Sequence, residues 1–351
     1  MRKLLQRALS LVPALIMVRV TNYYSLAESM KVGPDVSEVE TRHVDLPTRI
    51  PHIFHNRMIT KPQVGGEIFR AAGCVVDPDT GNVYWKGTLL VESSGWPPQQ
   101  VLTQDLLKVS RALGARREIV GAIVALPSTP YYHWLLEDLP ATLAAVRAAS
   151  GPVSLLVNKR RPSYVQAFLE FSNLDYVEAK SRVASDLVIF SNKQGRVGNP
   201  QLTDLELLRS TVTPPANGSL SADVLYVSRL SSKRSLPQEI KLISELEQLG
   251  IFCVELEGLG WLDQVRLFKS AKAVIGPHGA GLANLVFCDP GVRVIEILDI
   301  NYPNNCFEIL AGKLDLDFDR IFYDSGSPAE ADGLTKIVRA AALDLVSIAE
   351  N

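Results

Sequence analysis

A glycine-rich turn that follows a histidine is the part of this sequence whose residue types most clearly indicate chemistry. Residues 273–284 have the sequence AVIGPHGAGLAN, in which an apolar run predicts a buried strand and the Gly-Pro pair ends it. A helix is predicted over 281–287, and the N-terminus of a helix offers unpaired N–H groups and a partial positive charge. The turn therefore predicts an anion site suited to a diphosphate, with glycines that serve packing alone as the alternative. The candidate binding residues of this turn are His278, Gly279, Ala280, Gly281 and Asn284.

A basic loop upstream supplies groups that would hold the same anion. Residues 223–234 have the sequence DVLYVSRLSSKR, in which a strand predicted over 224–227 leads into a loop rich in serine, lysine and arginine. Arginine makes forked, charge-assisted hydrogen bonds to phosphate oxygens, and lysine supplies a point charge. Alone, this pattern is more typical of a solvated loop; together with the glycine-rich turn it predicts a site for a nucleotide diphosphate. The candidate residues of this loop are Ser228, Arg229, Lys233 and Arg234.

An imidazole and two carboxylates occur together in residues 131–138, YYHWLLED. A helix is predicted over 131–149, and on an α-helix His133 and Glu137 share a face because they are four positions apart, whereas Asp138 points elsewhere. A carboxylate beside a histidine is a candidate general base. Glu137 is therefore the first candidate, with His133 beside it and Asp138 in reserve. The alternative is a His–Glu pair that only stabilises a surface helix.

Strands and helices alternate on both sides of a linker-like segment, which predicts two α/β domains. In the first part, strands predicted over 118–126, 153–157 and 187–190 indicate a parallel sheet covered by helices. The predicted boundaries are residues 1–212 for the first domain, 213–222 (TPPANGSLSA) for the linker and 223–351 for the second domain. Strands of the second domain are predicted over 224–227, 251–255, 272–275, 292–298 and 318–323. The last helix, predicted over 333–349, is a candidate to pack on the first domain.

Composition excludes several classes of protein. The chain has 351 residues, of which 47% are hydrophobic and 21% charged, as expected for a two-domain globular protein. A net charge of −2 gives no electrostatic basis for binding nucleic acid. The four widely spaced cysteines indicate free thiols in a reducing cytoplasm. Residues 1–20 combine basic residues with a short apolar run, which predicts an amphipathic helix that packs on the protein or rests on a membrane surface.

Two Asp-x-Asp runs resemble metal-binding motifs, but local structure explains both. Residues 77–82, DPDTGN, lie between apolar segments and have the composition of a hairpin turn. Residues 315–319, DLDFD, alternate charged and apolar side chains as a half-exposed strand does. Neither run is predicted to bind a metal ion.

Together, these segments resemble family 61 of the glycosyltransferases. The resemblance spans about residues 128–297. The family includes bacterial capsular polysaccharide proteins, plant xylan-modifying transferases and animal extracellular N-acetylglucosaminyltransferases. The chain departs from the family at Pro130, where members often have asparagine three residues before the histidine. The segments that carry the resemblance are YHWLLEDLP at 132–140, YVSR at 226–229 with Arg234, WLDQVRLFKSA at 261–271, HGAGLAN at 278–284 and VIE at 294–296.

The two α/β halves joined by a linker suggest the GT-B fold, in which two Rossmann-like domains face a cleft. The resemblance implies an inverting transfer of a sugar without a metal ion, and no cofactor is expected. It implies Glu137 as the base that deprotonates the acceptor hydroxyl, with the basic loop and the glycine-rich turn stabilising the leaving diphosphate. Glu296, which follows an apolar run, is predicted to bind the ribose hydroxyls by the logic of an acid near a strand end. Gln264 is a weaker candidate for the donor site.

The leading hypothesis is therefore a glycosyltransferase that builds a bacterial surface polysaccharide. Its expected partners are a nucleotide-sugar donor, for which UDP is the first candidate nucleotide, and a glycan or lipid-linked glycan acceptor. It is expected in the cytoplasm, with the inner face of the membrane as a second expectation. A nucleotide-sugar epimerase of the same architecture and a non-catalytic nucleotide- or glycan-binding module remain open. A Rossmann dehydrogenase is disfavoured because the sequence has no Gly-x-Gly-x-x-Gly fingerprint with a downstream acid.

Overall fold

The computed structural model describes residues 20–21, 67–85, 88–96, 118–193, 195–214, 220–327 and 330–349. Residues 1–19 of the predicted N-terminal helix and residues 215–219 of the predicted linker lie outside the described residues. Within the described ranges, no helix is both long enough and apolar enough to cross a membrane.

Strands and helices alternate through most of the described chain, as predicted. The strands are β1 (Val20–Thr21), β2 (Ile68–Val76), β3 (Val83–Trp85), β4 (Thr88–Leu90), β5 (Glu118–Ala125), β6 (Val153–Asn158), β7 (Tyr176–Ala179), β8 (Val183–Ser191), β9 (Val224–Val227), β10 (Phe252–Val254), β11 (Ala273–Pro277), β12 (Arg293–Asp299) and β13 (Asp317–Tyr323). The α-helices are α1 (Tyr131–His133), α2 (Leu139–Arg147), α3 (Ser163–Ser172), α4 (Leu202–Thr211), α5 (Glu239–Glu247), α6 (Trp261–Ser270), α7 (Cys306–Leu314) and α8 (Glu330–Ala349).

The segment predicted as one helix over 131–149 is helical but is not a uniform α-helix. A π-helical turn, Trp134–Asp138, lies between α1 and α2. Pro140, near the start of α2, has no N–H to donate, so the α-helical ladder of hydrogen bonds is interrupted upstream of it. A π turn pairs residues i and i+5 instead of i and i+4, and the shared face of His133 and Glu137 stays a prediction across this segment.

The chain divides into two compact units whose ranges interleave along the sequence, whereas the predicted domains were consecutive. Unit 1 comprises residues 1–129, 137–162 and 173–197, and unit 2 comprises residues 130–136, 163–172 and 198–351. Helix α3 belongs to unit 2 because its Phe168 packs against Trp261 of α6, with the two ring centroids 6.1 Å apart.

Unit 1 contains a mixed sheet, which corrects the prediction of a purely parallel one. Its strand order is β1-β4-β3-β2-β8-β5-β6-β7, and β5, β6, β7 and β8 run parallel to their neighbours in this group. Strand β2 pairs antiparallel with β8 and with β3. The antiparallel pairing of β2 with β3 follows from the tight turn of residues 77–82, which cannot make the long crossover that parallel strands need. The predicted hairpin at this turn is confirmed.

Unit 2 contains a sheet in which every strand pairing is parallel, as predicted. Its order is β10-β9-β11-β12-β13, which corresponds to 2-1-3-4-5 when the strands are counted along the chain. The core of this unit joins the sheet to α5 and α8, with Ile275, Leu242, Leu334 and Val338 in one buried cluster. Helix α8 thus has its place in unit 2, and its packing on the first domain stays a prediction.

The two aspartate runs have the local structures predicted for them. In the hairpin turn, the backbone N–H of Asp79 bonds the Asp77 carboxylate at 2.9 Å, and Asp79 accepts a hydrogen bond from Asn158. In the second run, Asp317 starts β13 and pairs with Arg293 at 2.5 Å. Among the described residues, no cluster of three His, Cys, Asp or Glu side chains is arranged to hold a metal ion.

Candidate functional site

The candidate site lies at the carboxyl ends of β9 and β11, two neighbouring parallel strands of unit 2. In the order 2-1-3-4-5, these are the first and third strands along the chain, and the winding of the sheet reverses between them. Open α/β sheets bind ligands at such a switch point, outside the carboxyl ends of the strands. Arg229 lies two residues beyond β9, and His278 directly follows β11. The fold thus brings together the basic loop and the glycine-rich turn, which are about fifty residues apart in the sequence.

Arg229 and the glycine-rich turn are in direct contact. The Arg229 guanidinium donates a hydrogen bond from Nη1 to the carbonyl oxygen of His278. A Cβ atom on Gly279 would lie 2.8 Å from Cζ of Arg229, closer than real Cβ contacts come. Gly279 has φ 178°, an extended conformation open to any residue. Its lack of a side chain therefore serves the close approach of the arginine and not an unusual backbone angle.

A buried glutamate fixes the loop that carries Arg229. Oε1 of Glu239 accepts hydrogen bonds from the hydroxyls of Tyr226 and Ser228, both at 3.1 Å, and from the backbone N–H of Arg229 at 2.8 Å. Its Oε2 accepts from the backbone N–H of Leu236 at 3.1 Å. The Ser228 hydroxyl, predicted to contact the ligand, is buried and shapes this loop. The loop geometry is therefore set before any ligand arrives.

The basic loop concentrates positive charge beside the turn. Arg229 is half-buried, and this burial, together with the nearby charge of Arg234, holds the pKa of its guanidinium below the usual value. None of the ion pairs between described residues includes either guanidinium. Two like charges near one another favour an anion as their partner. Lys233, between them in sequence, is exposed.

His278 is hydrogen-bonded to a chain of charged groups, of which Glu296 is the buried member. Its Nδ1 lies 2.6 Å from Oε1 of Glu296, whose other oxygen accepts a hydrogen bond from Nε of Arg320 at 2.7 Å. Arg320 also donates to Glu308 at 2.6 Å. Glu296 is fully buried, with both carboxylate oxygens engaged inside the protein. This placement gives Glu296 different partners from the ribose hydroxyls predicted for it.

An aromatic row connects the predicted residues of unit 2. Tyr302 lies between Arg234, whose Cζ is 4.7 Å from the ring centroid, and His278, at 5.7 Å between ring centroids. Phe307 contacts His278 at 5.1 Å and Tyr132 at 5.6 Å, and Tyr132 in turn contacts the His133 ring at 5.3 Å. The row therefore brings the histidine of the YYHWLLED segment into the same unit as the turn and the basic loop. The aromatic row consists of Tyr302, His278, Phe307, Tyr132 and His133.

Asn284 and Gln264 are hydrogen-bonded to each other inside unit 2. The amide nitrogen of Asn284 donates to Oε1 of Gln264 at 3.2 Å, and its amide oxygen accepts from the Tyr131 hydroxyl at 2.6 Å. Gln264 itself donates to the carbonyl of Leu256 at 2.8 Å. Asn284 is completely buried. Both residues, predicted to bind the ligand, are engaged in fixing the start of α1 and the turn to the rest of unit 2.

The helix predicted after the turn is a 3-10 helix, Ala280–Phe287. Its first hydrogen bond runs from the N–H of Leu282 to the carbonyl of Gly279 at 3.0 Å, so the N–H groups of Ala280 and Gly281 precede the ladder. Ala280 is exposed, whereas a Cβ on Gly281 would lie 2.9 Å from the Leu256 side chain. Gly281 is therefore required by packing, and the exposed end of the helix is at Ala280.

Both candidate carboxylates of unit 1 are buried. Asp138 is buried; one oxygen lies 2.6 Å from Nζ of Lys193 and the other accepts a hydrogen bond from the Thr129 hydroxyl at 2.6 Å. Glu137, on the same π turn, is also buried. Asp138 is thus held in a structural ion pair by Lys193, a partner 55 positions away that no local pattern in the sequence indicated.

Sequence reasoning missed several residues of this site. Tyr302, Phe307 and Arg320 were not predicted to contribute, although they touch His278, Arg234 or Glu296. Arg320 aligns with Glu296 across the β12–β13 ladder. The only sequence signal for it was its position in the alternating strand that begins after the second aspartate run, because strand register cannot be read from a single sequence.

A parallel 2-1-3-4-5 sheet with a basic loop and a glycine-lined turn at its switch point is an arrangement in which open α/β proteins can bind phosphate-bearing ligands. Comparison with known families agrees and is more specific. The model of the family described as Glycosyltransferase 61 matches residues 131–295, just under half of the chain. This match confirms the resemblance to glycosyltransferase family 61 that was inferred from the motifs of the sequence.

Curated relatives match over shorter stretches. A beta-1,2-xylosyltransferase of Arabidopsis thaliana is 36% identical over 68 residues, which are 19% of this chain and 13% of the relative. EGF domain-specific O-linked N-acetylglucosamine transferases of Bos taurus and Drosophila melanogaster are each 30% identical, over 98 and 91 residues. These matches cover 26% and 25% of this chain, and 18% and 17% of the respective relatives. The chain thus spans less than a fifth of the length of these relatives.

Proposed function

We propose that this protein is a glycosyltransferase that moves a sugar from a nucleotide-diphosphate donor to a glycan hydroxyl. The observation that carries the proposal is the cluster at the switch point of unit 2, where Arg229 contacts the glycine-rich turn and Arg234 lies over the aromatic row. This cluster supplies positive charge and N–H donors where a diphosphate would lie in an open α/β sheet. The match to family 61 supports the same class of reaction.

Sugar transfer needs a base for the acceptor hydroxyl and stabilisation for the leaving diphosphate. We assign the base to Glu137, the acid four residues after His133, and keep Asp138, which is bonded to Lys193 and Thr129, in reserve. We assign the second task to Arg229, Arg234 and the N–H groups at Ala280 and Gly281. Charge supplied by two guanidiniums supports a transfer that needs no cation. A single displacement with one base would invert the anomeric configuration, which completes the proposed mechanism.

The proposed architecture is GT-B, with the acceptor bound by one unit and the donor by the other. Two compact units, each with a sheet of its own, support it. The names of the relatives include a xylosyltransferase and an N-acetylglucosamine transferase, so sugars of both kinds belong in a donor screen, with UDP-linked donors first. We propose a glycan or lipid-linked glycan acceptor, within the synthesis of a bacterial surface polysaccharide.

A cytoplasmic location, with contact to the inner face of the membrane, is part of the proposal. It is supported by four free cysteines, three of them buried, which suit a reducing compartment. Fractionation of cells that express the tagged full chain would test it: recovery from the periplasm or the medium would contradict this location.

The test of function is to incubate the full chain with a panel of nucleotide sugars, with and without glycan acceptors, and to measure both released nucleotide diphosphate and epimerised donor. The proposal predicts nucleotide release that depends on acceptor, a product of inverted configuration and activity that survives EDTA. Epimerised free donor without transfer would favour the epimerase. Binding of a nucleotide sugar with neither reaction would favour a non-catalytic module.

A further inference from the structure

The contacts of His278 give Glu296 a role in positioning that histidine. The fully buried carboxylate of Glu296 lies 2.6 Å from Nδ1 of His278 and 2.7 Å from Nε of Arg320. The side chain of His278 is 11% exposed, so the ring lies at the edge of the site while its partner lies inside. A carboxylate accepts and does not donate, so this geometry requires the proton on Nδ1 of the imidazole.

We infer that Glu296, held by Arg320, is a positioning residue that keeps the proton of His278 on Nδ1 and so offers Nε2 to the diphosphate of the donor. Among the described residues, Glu296 is the hydrogen-bond partner of the His278 ring, which leaves Nε2 as the nitrogen that a ligand can reach. Nδ1 donates to Glu296 whether the imidazole is neutral or protonated. Nε2 can therefore take up a proton and donate to a phosphate oxygen while the ring stays in place.

Arg320 fixes the hydrogen-bonding role of each Glu296 oxygen. It sits across the β12–β13 ladder from Glu296 and donates to Glu296 from Nε, to Glu308 from Nη1 at 2.6 Å, and to the carbonyl of Asn304 from Nη2 at 3.2 Å. Its guanidinium has no acceptor atoms, so the Glu296 oxygen that faces it must remain an acceptor. The other oxygen is then the one that faces His278, and a buried carboxylate between two donors is compensated on both sides.

A single substitution reverses the expected proton position. In Glu296→Gln, the amide oxygen must face Nε of Arg320, because an NH₂ group there would meet another donor. The amide NH₂ would then face Nδ1 of His278, which becomes the acceptor, and the neutral ring would carry its proton on Nε2. Glu308→Gln is the matched control: it makes the same change of charge on the far side of Arg320 and should leave the tautomer unchanged.

The experiment is ¹⁵N NMR of the full chain labelled at histidine, with the His278 signals assigned from a His278→Gln sample. Wild type and Glu308→Gln should show a protonated Nδ1, and folded Glu296→Gln should show the proton on Nε2. A wild-type ring with its proton only on Nε2, or a folded Glu296→Gln that keeps the proton on Nδ1, would overturn the inference. If Glu296→Gln does not fold, the position of the proton in the wild-type spectrum alone tests the inference.

The second half of the inference rests on the proposed function, and its test is separate. UDP, GDP, CDP and ADP are each added to the labelled wild type, with the corresponding nucleosides as controls. One diphosphate should shift the Nε2 resonance while Nδ1 remains protonated, and its nucleoside should not. If a diphosphate binds without shifting Nε2, the role offered to His278 is overturned; if none binds, the proposed function fails, whereas the tautomer result still stands on its own.

Discussion

Arg229 and Arg234 carry most of the case for a diphosphate, and each can be removed singly. A hydrogen bond to a charged group contributes about 1.5–3 kcal/mol, so Arg229→Ala or Arg234→Ala should raise the Kd of the best-binding nucleoside diphosphate by roughly 10- to 150-fold. Isothermal titration calorimetry on the full chain would measure it. Arg293→Ala is the matched control, because Arg293 starts β12 at the opposite edge of the same sheet and pairs with Asp317. Unchanged affinity in both site variants would show that the arginines do not bind phosphate.

Glu137 and Asp138 are adjacent in sequence, and the structure predicts different consequences for them. Glu137→Gln keeps the size of the side chain but cannot accept a proton. Transfer should therefore fall by about 10²- to 10⁴-fold, the usual share of a general base, while nucleotide affinity stays near that of wild type. Initial rates and calorimetry on the same preparation would separate the two effects. Full activity of Glu137→Gln would remove it from the chemistry.

Asp138→Asn serves as the comparison, and it should act mainly on stability. It leaves the buried ammonium of Lys193 without its carboxylate, which costs on the order of 3 kcal/mol. Asp289→Asn removes an exposed partner of Arg209 and should change stability by less than about 1 kcal/mol. Urea unfolding would measure both. A stable Asp138→Asn protein that has lost transfer would instead make Asp138 the base.

At the level of elements, the glycine-rich turn allows Arg229 to pack closely against the backbone, and it also lets a ligand approach. Gly279→Ala places a Cβ atom 2.8 Å from the guanidinium, which must move away from the turn. Nucleoside diphosphate should therefore bind more weakly, by no more than the roughly 10- to 150-fold expected for losing the arginine itself. Gly312→Ala in α7 is the control, because a Cβ there meets nothing within 4 Å and alanine favours the helix. Equal affinity in both variants would contradict the contact.

Which segments form strands and helices was largely predictable from the sequence, whereas the π turn and the strand pairing of unit 1 were not. The apolar runs at β9, β11 and β12 gave strands close to their observed bounds, because buried parallel strands are nearly continuous in apolar residues. The π turn at Trp134–Asp138 was missed, because the residue pattern of 131–149 is the same for an α-helix. The mixed sheet of unit 1 was missed because β2 and β8 pair over a long separation in sequence.

The candidate site shows the same division between local and distant information. Arg229, Arg234 and the turn were identified because their residue types alone suit an anion. Gln264, Asn284 and Ser228 have the same polar types but are bonded internally, which only the packing reveals. The partners of His278 come from β12, β13 and α7, and a single sequence does not record which strands are neighbours.

For the whole molecule, Lys313 should make stability depend on alkaline pH. Its Nζ donates to Oδ1 of Asn199 at 2.6 Å and to the carbonyl of Pro200 at 2.5 Å, and burial lowers the pKa of this lysine from 10.5 to about 8. Between these two values the unfolded chain binds more protons than the folded chain, so this group makes stability rise as the pH rises from about 8 to 10.5.

The measurement is the urea midpoint of wild type and of Lys313→Met over this pH range. Burial raises the pKa of the Cys74 thiol from 9.0 to about 12. Between these two values the thiol makes stability fall as the pH rises, so its contribution must be subtracted from that of Lys313. The variant supplies that subtraction, and the difference in midpoint between wild type and Lys313→Met should move in favour of wild type as the pH rises. A difference that is constant with pH would mean that Lys313 titrates alike in both states.

The central claim is that the switch point of unit 2 binds the diphosphate of a sugar donor, and a crystal structure of the full chain with its best-binding nucleoside diphosphate tests it most directly. The account predicts phosphate oxygens within about 3 Å of Arg229 or Arg234 and of the N–H groups at the start of the 3-10 helix. A nucleotide bound in unit 1, or at the amino-terminal edge of the β9–β13 sheet, would contradict it.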